Sequence, residues 1–272
     1  MGLKVAALVA ALVAASSPLA SGTRYLQGHQ LPSGGYAESG NTAYPQLSAW
    51  AVLGLRAANA KPGILASRYF ESHEGELRSP TDLALVAMAE VALAQDPSRL
   101  LARLRALQRP SGSIGRLVNG TAWAVLALRT AGQPVAKATL RWLLSRQGAR
   151  GGWGWNGAPD SNDTAAVVQA LRAAGVRGRP IRRGLAFLLR HRNRDGGFEL
   201  IRGRGSDAQS TAWVVQAFIA AGRPPPPGAL AYLRRLRRPD GSFRYSRRYV
   251  TTPVWVTAQV LPALARQPFP LR

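Results

Sequence analysis

A short apolar segment recurs along the chain. Thr121–Leu128 returns as Thr164–Leu171, Thr211–Phe218 and Thr257–Leu264, and earlier copies stand at Ser48–Leu55 and Val86–Leu93. Six copies at intervals of roughly 40 residues predict a repeat architecture. The segments are apolar nearly all the way round, the pattern of a helix buried on every side. Three of them stop at glycine, in Ala131-Gly132, Ala174-Gly175 and Ala221-Gly222, a C-terminal helix signal. Pro262 should kink or shorten the sixth.

Between these lie amphipathic stretches at Ala136–Gln147, Ile181–Arg192 and Gly228–Arg237, entered through Pro134, Pro180 and Pro224–Pro227. Proline at the first turn is a helix start. Each leaves through a glycine turn closed by an apolar residue, as in Gly151-Gly152-Trp153, Gly196-Gly197-Phe198, Gly241-Ser242-Phe243, Gly34-Gly35-Tyr36 and Gly112-Ser113-Ile114. The unit is therefore an outer amphipathic helix, a glycine turn and an inner apolar helix. An open stack needs polar capping repeats at its ends, and here the terminal inner helices are as apolar as the middle ones. The pattern predicts an all-α fold, a six-hairpin α/α toroid with two concentric rings of helices.

Composition narrows the chemistry. The chain has 272 residues with 46% hydrophobic and no cysteine, enough to bury a large core and incompatible with disulfides, thiolate nucleophiles or Cys-ligated zinc. Net charge is formally +23, and only Lys4, Lys61 and Lys137 of the 36 basic residues are lysine. That skew fits GC-rich coding, or attraction to an anionic partner. The arginines are scattered rather than gathered in one tail. This reads against nucleic acid and leaves an anionic cell-surface polymer or a membrane surface as expected partners.

Lys4, the apolar run Val5–Ala15 and the small residues Ala20-Ser21-Gly22 read as a secretory signal. Residues 1–22 are expected to be the signal peptide and 23–272 one domain, secreted or extracytoplasmic. An uncleaved anchor is the alternative, although the run is too short to span a bilayer as a helix, which takes about 20 residues.

The third linker carries Lys137-Ala138, Trp142-Leu143, Gln147, Gly151 and Trp153, and Tyr25-Leu26, Gln30, Gly34 and Tyr36 repeat it. With Arg192 and Arg237 at the glutamine position, Phe187–Phe198 and Tyr232–Phe243 keep the frame. This resembles the QW motif of the squalene–hopene cyclase and protein prenyltransferase superfamily, over roughly Thr23 to Leu264. The resemblance implies a terpenoid cyclase-like α/α toroid in which the motif ties one repeat to the next. It also implies a reason to inspect Asp160-Ser161-Asn162-Asp163-Thr164-Ala165, which is similar to the cyclase acid motif Asp-x-Asp-Asp-Thr-Ala. The family's proton donor is the middle aspartate, and Asn162 stands there; an amide cannot deliver that proton.

Asp163 is placed to cap the fourth inner helix, as Ser210 precedes Thr211, while Asp160 is expected further out in a glycine-proline loop, in water. Asp207 shares that mouth region, so Asp160, Asn162, Asp163 and Asp207 are the candidate ligand-binding rim, with Asp160 and Asp163 the candidate catalytic acids. Trp50, Trp123 and Trp213 each fall two positions into an inner segment. A ring could gather them to hold an aromatic-friendly ligand or simply plug its core. His29, His73 and His191 are dispersed, so no metal and no cofactor are expected, and no Walker loop or Gly-x-Ser-x-Gly elbow occurs.

Three functions follow from different classes. The first is a secreted, monomeric, non-catalytic toroid that binds or scaffolds a small apolar or isoprenoid-like ligand, similar in layout to secreted cobalamin carriers. The second is a class II terpene cyclase or isomerase using Asp160 or Asp163; the resemblance counts against it, since full cyclases pair two helical domains. The third is a toroid acting on cell-surface glycans.

Overall fold

The computed structural model describes residues 17–271. The basic and apolar parts of the expected signal, Lys4 and Val5–Ala15, lie outside them. Six inner helices carry the recurring segments: α2 (Pro45–Ala57), α4 (Pro80–Ala92), α6 (Val118–Thr130), α8 (Ser161–Ala173), α10 (Ala208–Ala220) and α12 (Pro253–Leu264). Six outer helices alternate with them: α1 (Pro18–Gln27), α3 (Leu65–Ser72), α5 (Ser98–Ala106), α7 (Lys137–Ser145), α9 (Arg179–Leu189) and α11 (Ala229–Arg235). The inner helices are buried almost throughout, whereas the outer ones bury one stripe, such as Leu100, Leu101 and Leu104 of α5. Apolar periodicity thus sorts the two sets.

The inner helices form a closed cycle of neighbours: α2 packs on α4, α4 on α6, α6 on α8, α8 on α10, α10 on α12, and α12 back on α2. Each outer helix packs chiefly on the inner helix before it, and α1 packs on α12. At the α2–α12 seam a Cβ on Gly54 would stand 2.7 Å from the Ala258 carbonyl oxygen. That carbonyl has no donor within its own helix, because Pro262, four residues on, has no N–H. Pro262 does not end the helix, which runs on to Leu264.

The glycine turns and the inner helices are joined by one repeated bond. The N–H of Tyr36 donates to Ser48 Oγ (2.9 Å), and those of Trp153, Phe198 and Phe243 donate to Thr164, Thr211 and Thr257 Oγ1 (2.9, 2.9 and 3.0 Å). Ile114 does the same to Thr121 at 3.2 Å. The aromatic or aliphatic side chain that closes each turn is thereby driven into the seam, and a buried N–H is satisfied. In the second repeat Leu77 closes the turn, but helix α4 starts at Pro80 with an Ser79–Asp82 capping box and places Leu83, not Val86, at the hydroxyl position. A shift of three residues is nearly one helical turn, so in an all-apolar helix the two registers read alike.

One feature departs from a purely helical reading. Trp153–Trp155 and Ala158–Asp160 form an antiparallel hairpin, β1–β2. Its turn is Asn156-Gly157, both at positive φ (47° and 78°), the pairing that suits a tight hairpin. The expected boundary after Gly22 also falls inside α1, which Ser17 caps through the Ala20 N–H. Gly22 is packed so closely on α12 that a Cβ would meet Leu261 at 2.9 Å.

Candidate functional site

The inner helices run parallel. Their first turns are linked to one another by Thr81 Oγ1 donating to Asn119 Oδ1 (3.2 Å) and Asn119 Nδ2 to Asp163 Oδ1 (2.8 Å). Their last turns are linked by Arg129 Nε donating to the Ala173 carbonyl (3.2 Å) and Arg172 Nε to that of Ala220 (3.1 Å). The N-termini of the inner helices therefore meet at one end, the mouth, where the sequence places its carboxylates.

There the roles of two aspartates exchange. Asp160, in extended backbone, is the N-cap of α8 and accepts from the Asp163 N–H at 2.8 Å. Asp163 is in the first turn of the helix, not its cap, because α8 begins one turn before the recurring segment. Nor is Asp160 an open-loop residue: it is partly buried, and burial followed by the neighbouring Asp163 charge pushes its carboxyl up to about 6. Burial also raises Asp163, offset in part by the Asn119 bond. Asp207 holds the equivalent cap of α10, accepting from the Ser210 N–H (2.7 Å) and hydroxyl (2.8 Å), and burial pushes it up to about 6 as well. Asn162 lies beside these in the first turn of α8, where Ser161 Oγ reaches its Oδ1 at 3.4 Å.

Two rim residues escape the sequence reading. Asn119 precedes Thr121 by two positions, as Asn162 precedes Thr164, so aligning the repeats on threonine would have found it. Glu38 accepts from the N–H groups of Val254 and Trp255, both at 2.8 Å. A carboxylate from the first repeat thus caps the last inner helix, where the backbone dipole favours a negative charge.

The three tryptophans come together. Ring centroids of Trp50 and Trp123 are 5.2 Å apart, Trp123 and Trp213 5.4 Å, and Trp50 and Trp213 6.0 Å. Phe269 joins them from the C-terminal tail, 5.9 Å from Trp50 and 5.8 Å from Trp123, its N–H bonded to Gln169 Oε1 at 3.0 Å. The four are 2, 2, 7 and 2% exposed. Gln259 stands two positions after Thr257, where the tryptophans stand in their helices, and both its polar side-chain atoms lack a partner among the described residues, as does Gln216 Oε1.

Among the described residues, clefts of about 800–880 Å³ open at three places on the surface, and none of these is lined by the three tryptophans. One lies at the mouth beside Asp207, between Asp195, Arg204, Tyr245, Arg247 and Tyr249. Its walls are polar and arginine-rich. The histidines serve the outer helices: Nδ1 of His29, His73 and His191 bonds the carbonyl four residues back, of Tyr25, Tyr69 and Phe187, whose rings lie 4.0–4.6 Å away.

No family model matches this sequence, and no curated protein matches it. Solved structures do. The type II terpene cyclase MstE from Scytonema superposes with a TM-score of 0.69 at 13% identity, covering 91% of this chain and 96% of that one. A glycosidase variant matches at 0.65 and 13%, covering 92% and 96%. The ent-copalyl diphosphate synthase from Streptomyces platensis matches at 0.57 and 19%, covering 82% of this chain and 50% of that one. The MstE coverage removes the argument from size, since a type II terpene cyclase of about this length exists. At such identities the likeness is one of architecture, and this chain has the terpenoid cyclase-like fold.

Proposed function

We propose that the chain is a non-catalytic binding or scaffold module, an α/α toroid that works outside the cytoplasm. One observation carries this reading. Trp50, Trp123, Trp213 and Phe269 fill the space between the inner helices, which is where a polyene would have to be enclosed from water. Carbocation chemistry needs an enclosed apolar chamber and an activated carboxylic acid. The rim supplies neither in ready form. Asp160, at about 6, is mostly ionised at neutral pH, and Asp163 is tied to Asn119.

A cyclase of the kind named for the structural neighbours is the second reading, favoured by the raised carboxyls at the start of α8. Its isoprenoid would have to displace Phe269. A glycan-active reading has less support, because both oxygens of Asp207 already accept from Ser210. The test is incubation of purified protein with squalene or geranylgeranyl diphosphate. No cyclised product is expected, and Asn162→Asp alone should not create one. Turnover by the unmodified protein that disappears in Asp163→Asn would overturn the proposal in favour of the cyclase.

A further inference from the structure

The end of the ring opposite the carboxylate rim has a different chemistry. A cleft of about 800 Å³ opens there between the last turns of α6, α8 and α10 and the tail residues 266–271. That is within the usual range for a small-ligand site. Four arginines line it, Arg129, Arg172, Arg177 and Arg266, and no carboxylate does among the described residues.

The four are held in two ways. Arg129 and Arg172 are anchored: beyond the carbonyls of Ala173 and Ala220, their Nη1 atoms donate to the carbonyls of Gln133 (3.0 Å) and Val176 (3.1 Å). Each guanidinium is thus fixed on two bonds with Nη2 left over, a fork that loses little freedom on binding. Arg177 and Arg266 are exposed and take no part in the ion pairs of the described residues, which join Glu74 to Arg99 and Arg103 and Asp240 to Arg238.

Three helix C-termini face the same cleft and oppose this charge. At about half a negative charge each, they offset four full positive charges only in part, leaving a net of about +2 to +3. Arginines without a carboxylate also line the cleft of Arg150, Arg190 and Arg202 and a smaller one of Arg182 and Arg223 beside Arg172 and Arg177, so what sets this cleft apart is the pair of anchored guanidiniums, Arg129 and Arg172. The cleft beside Asp207 also holds three arginines, but it holds Asp195 and Asp207 with them.

We propose that this cleft binds a phosphate or diphosphate group, its oxygens bridging the fixed guanidiniums of Arg129 and Arg172 while Arg177 and Arg266 close over them. Planar forks match phosphate oxygens in pairs. The site goes beyond the binding-module reading and does not depend on it: turnover of a polyene would overturn that reading and leave the anion site standing.

The probe is inorganic diphosphate, titrated calorimetrically into the full chain at low ionic strength. Arg177→Gln with Arg266→Gln should weaken binding by about tenfold or more. The charge-matched pair Arg141→Gln with Arg194→Gln, both exposed and outside the cleft, should leave it within about twofold. Equal weakening by the two pairs, or by neither, would overturn the proposal, because binding would then follow net charge alone. A second arm uses vesicles containing phosphatidic acid. Vesicle binding that depends on Arg177 and Arg266 without diphosphate binding assigns the phosphate to a lipid headgroup, diphosphate binding alone assigns it to a soluble ligand, and binding of neither overturns the site.

Discussion

Replacing Phe269 by alanine tests whether the tail plugs the ring. Phe269 is 2% exposed and lies against Trp50 and Trp123. Removing a fully buried phenyl ring costs about 3–5 kcal/mol through lost transfer energy and the cavity left behind. Aromatic pairs add about 0.5–1.5 kcal/mol each beyond buried area. Part of that sum is already inside the truncation value, so about 3–5 kcal/mol is the figure to test. The Phe269 N–H to Gln169 bond is a backbone contact and survives the change, which keeps the tail near its place. For a domain of this size each kcal/mol shifts the melting temperature by about 2–4 °C, giving a fall of roughly 6–20 °C.

The assay is urea unfolding followed by tryptophan emission, with a thermal melt beside it. Benzene supplies the complementary readout, since an emptied apolar cavity takes up such a molecule. It should raise the melting temperature of Phe269→Ala and not that of the parent chain. A loss under about 1 kcal/mol with unchanged emission would show that the tail is not inserted, and the filled-centre argument would fall with it.

Gly54→Ala should destabilise by about 1–3 kcal/mol in urea unfolding despite alanine's better helix propensity, because its Cβ would meet the Ala258 backbone; Gly75→Ala, with open space around it, should stay within about 0.5 kcal/mol. Asp207, raised to about 6 by burial, holds its proton more tightly when folded than unfolded, so its contribution is present at pH 4 and is lost as pH rises through 6. Asp207→Asn should remove a stability difference of roughly 2–3 kcal/mol between pH 4 and pH 7, read as the difference between the two proteins' melts. If the chain is exported, mass measurement should place the first residue of the mature protein at or before Ser17, because cleavage after Gly22 would cut through α1; a mature chain starting at Thr23 and folded to the same stability would refute the role given to that helix.

The inner helices were legible because an all-apolar segment of helical length has one physical use, burial on every side. Their first turns were not, since Pro80, Val118, Ser161 and Ala208 precede the recurring motif and a capping residue reveals itself only by its backbone. Hence the sequence points to Asp163 as the cap and to Asp160 as solvent-exposed, where the structure exchanges the two. The second repeat slipped by three residues for want of a hydroxyl to fix its register. Asn156-Gly157 signals the β1–β2 hairpin, but in sequence it stands among many glycine turns of the same kind. Phe269 was beyond reach: nothing local distinguishes it, and its partners Trp50 and Trp123 are brought to it only by closure of the helix cycle. The threonine of the repeat turned out to be its most informative residue, satisfying the N–H of the aromatic that closes each turn.

The two ends of the ring differ in what they have left to offer a ligand. At the mouth each carboxylate already holds a bond: Asp160 through one oxygen to an amide of its own helix, Asp163 through one oxygen to Asn119, Asp207 to Ser210, and Glu38 to the first turn of α12. A ligand approaching there would have to compete with charge-assisted bonds that hold helix starts in place, each worth about 1.5–3 kcal/mol. At the opposite end the donors outnumber their partners. Arg129 and Arg172 each spend two groups on carbonyls out of five that a guanidinium carries, and Arg177 and Arg266 spend none on a described ion pair. Binding that exploits unspent donors costs the fold nothing, whereas binding that takes a cap from a helix is paid for in stability. On that reasoning a ligand at the carboxylate rim competes with helix starts, and a ligand at the arginine-lined end does not.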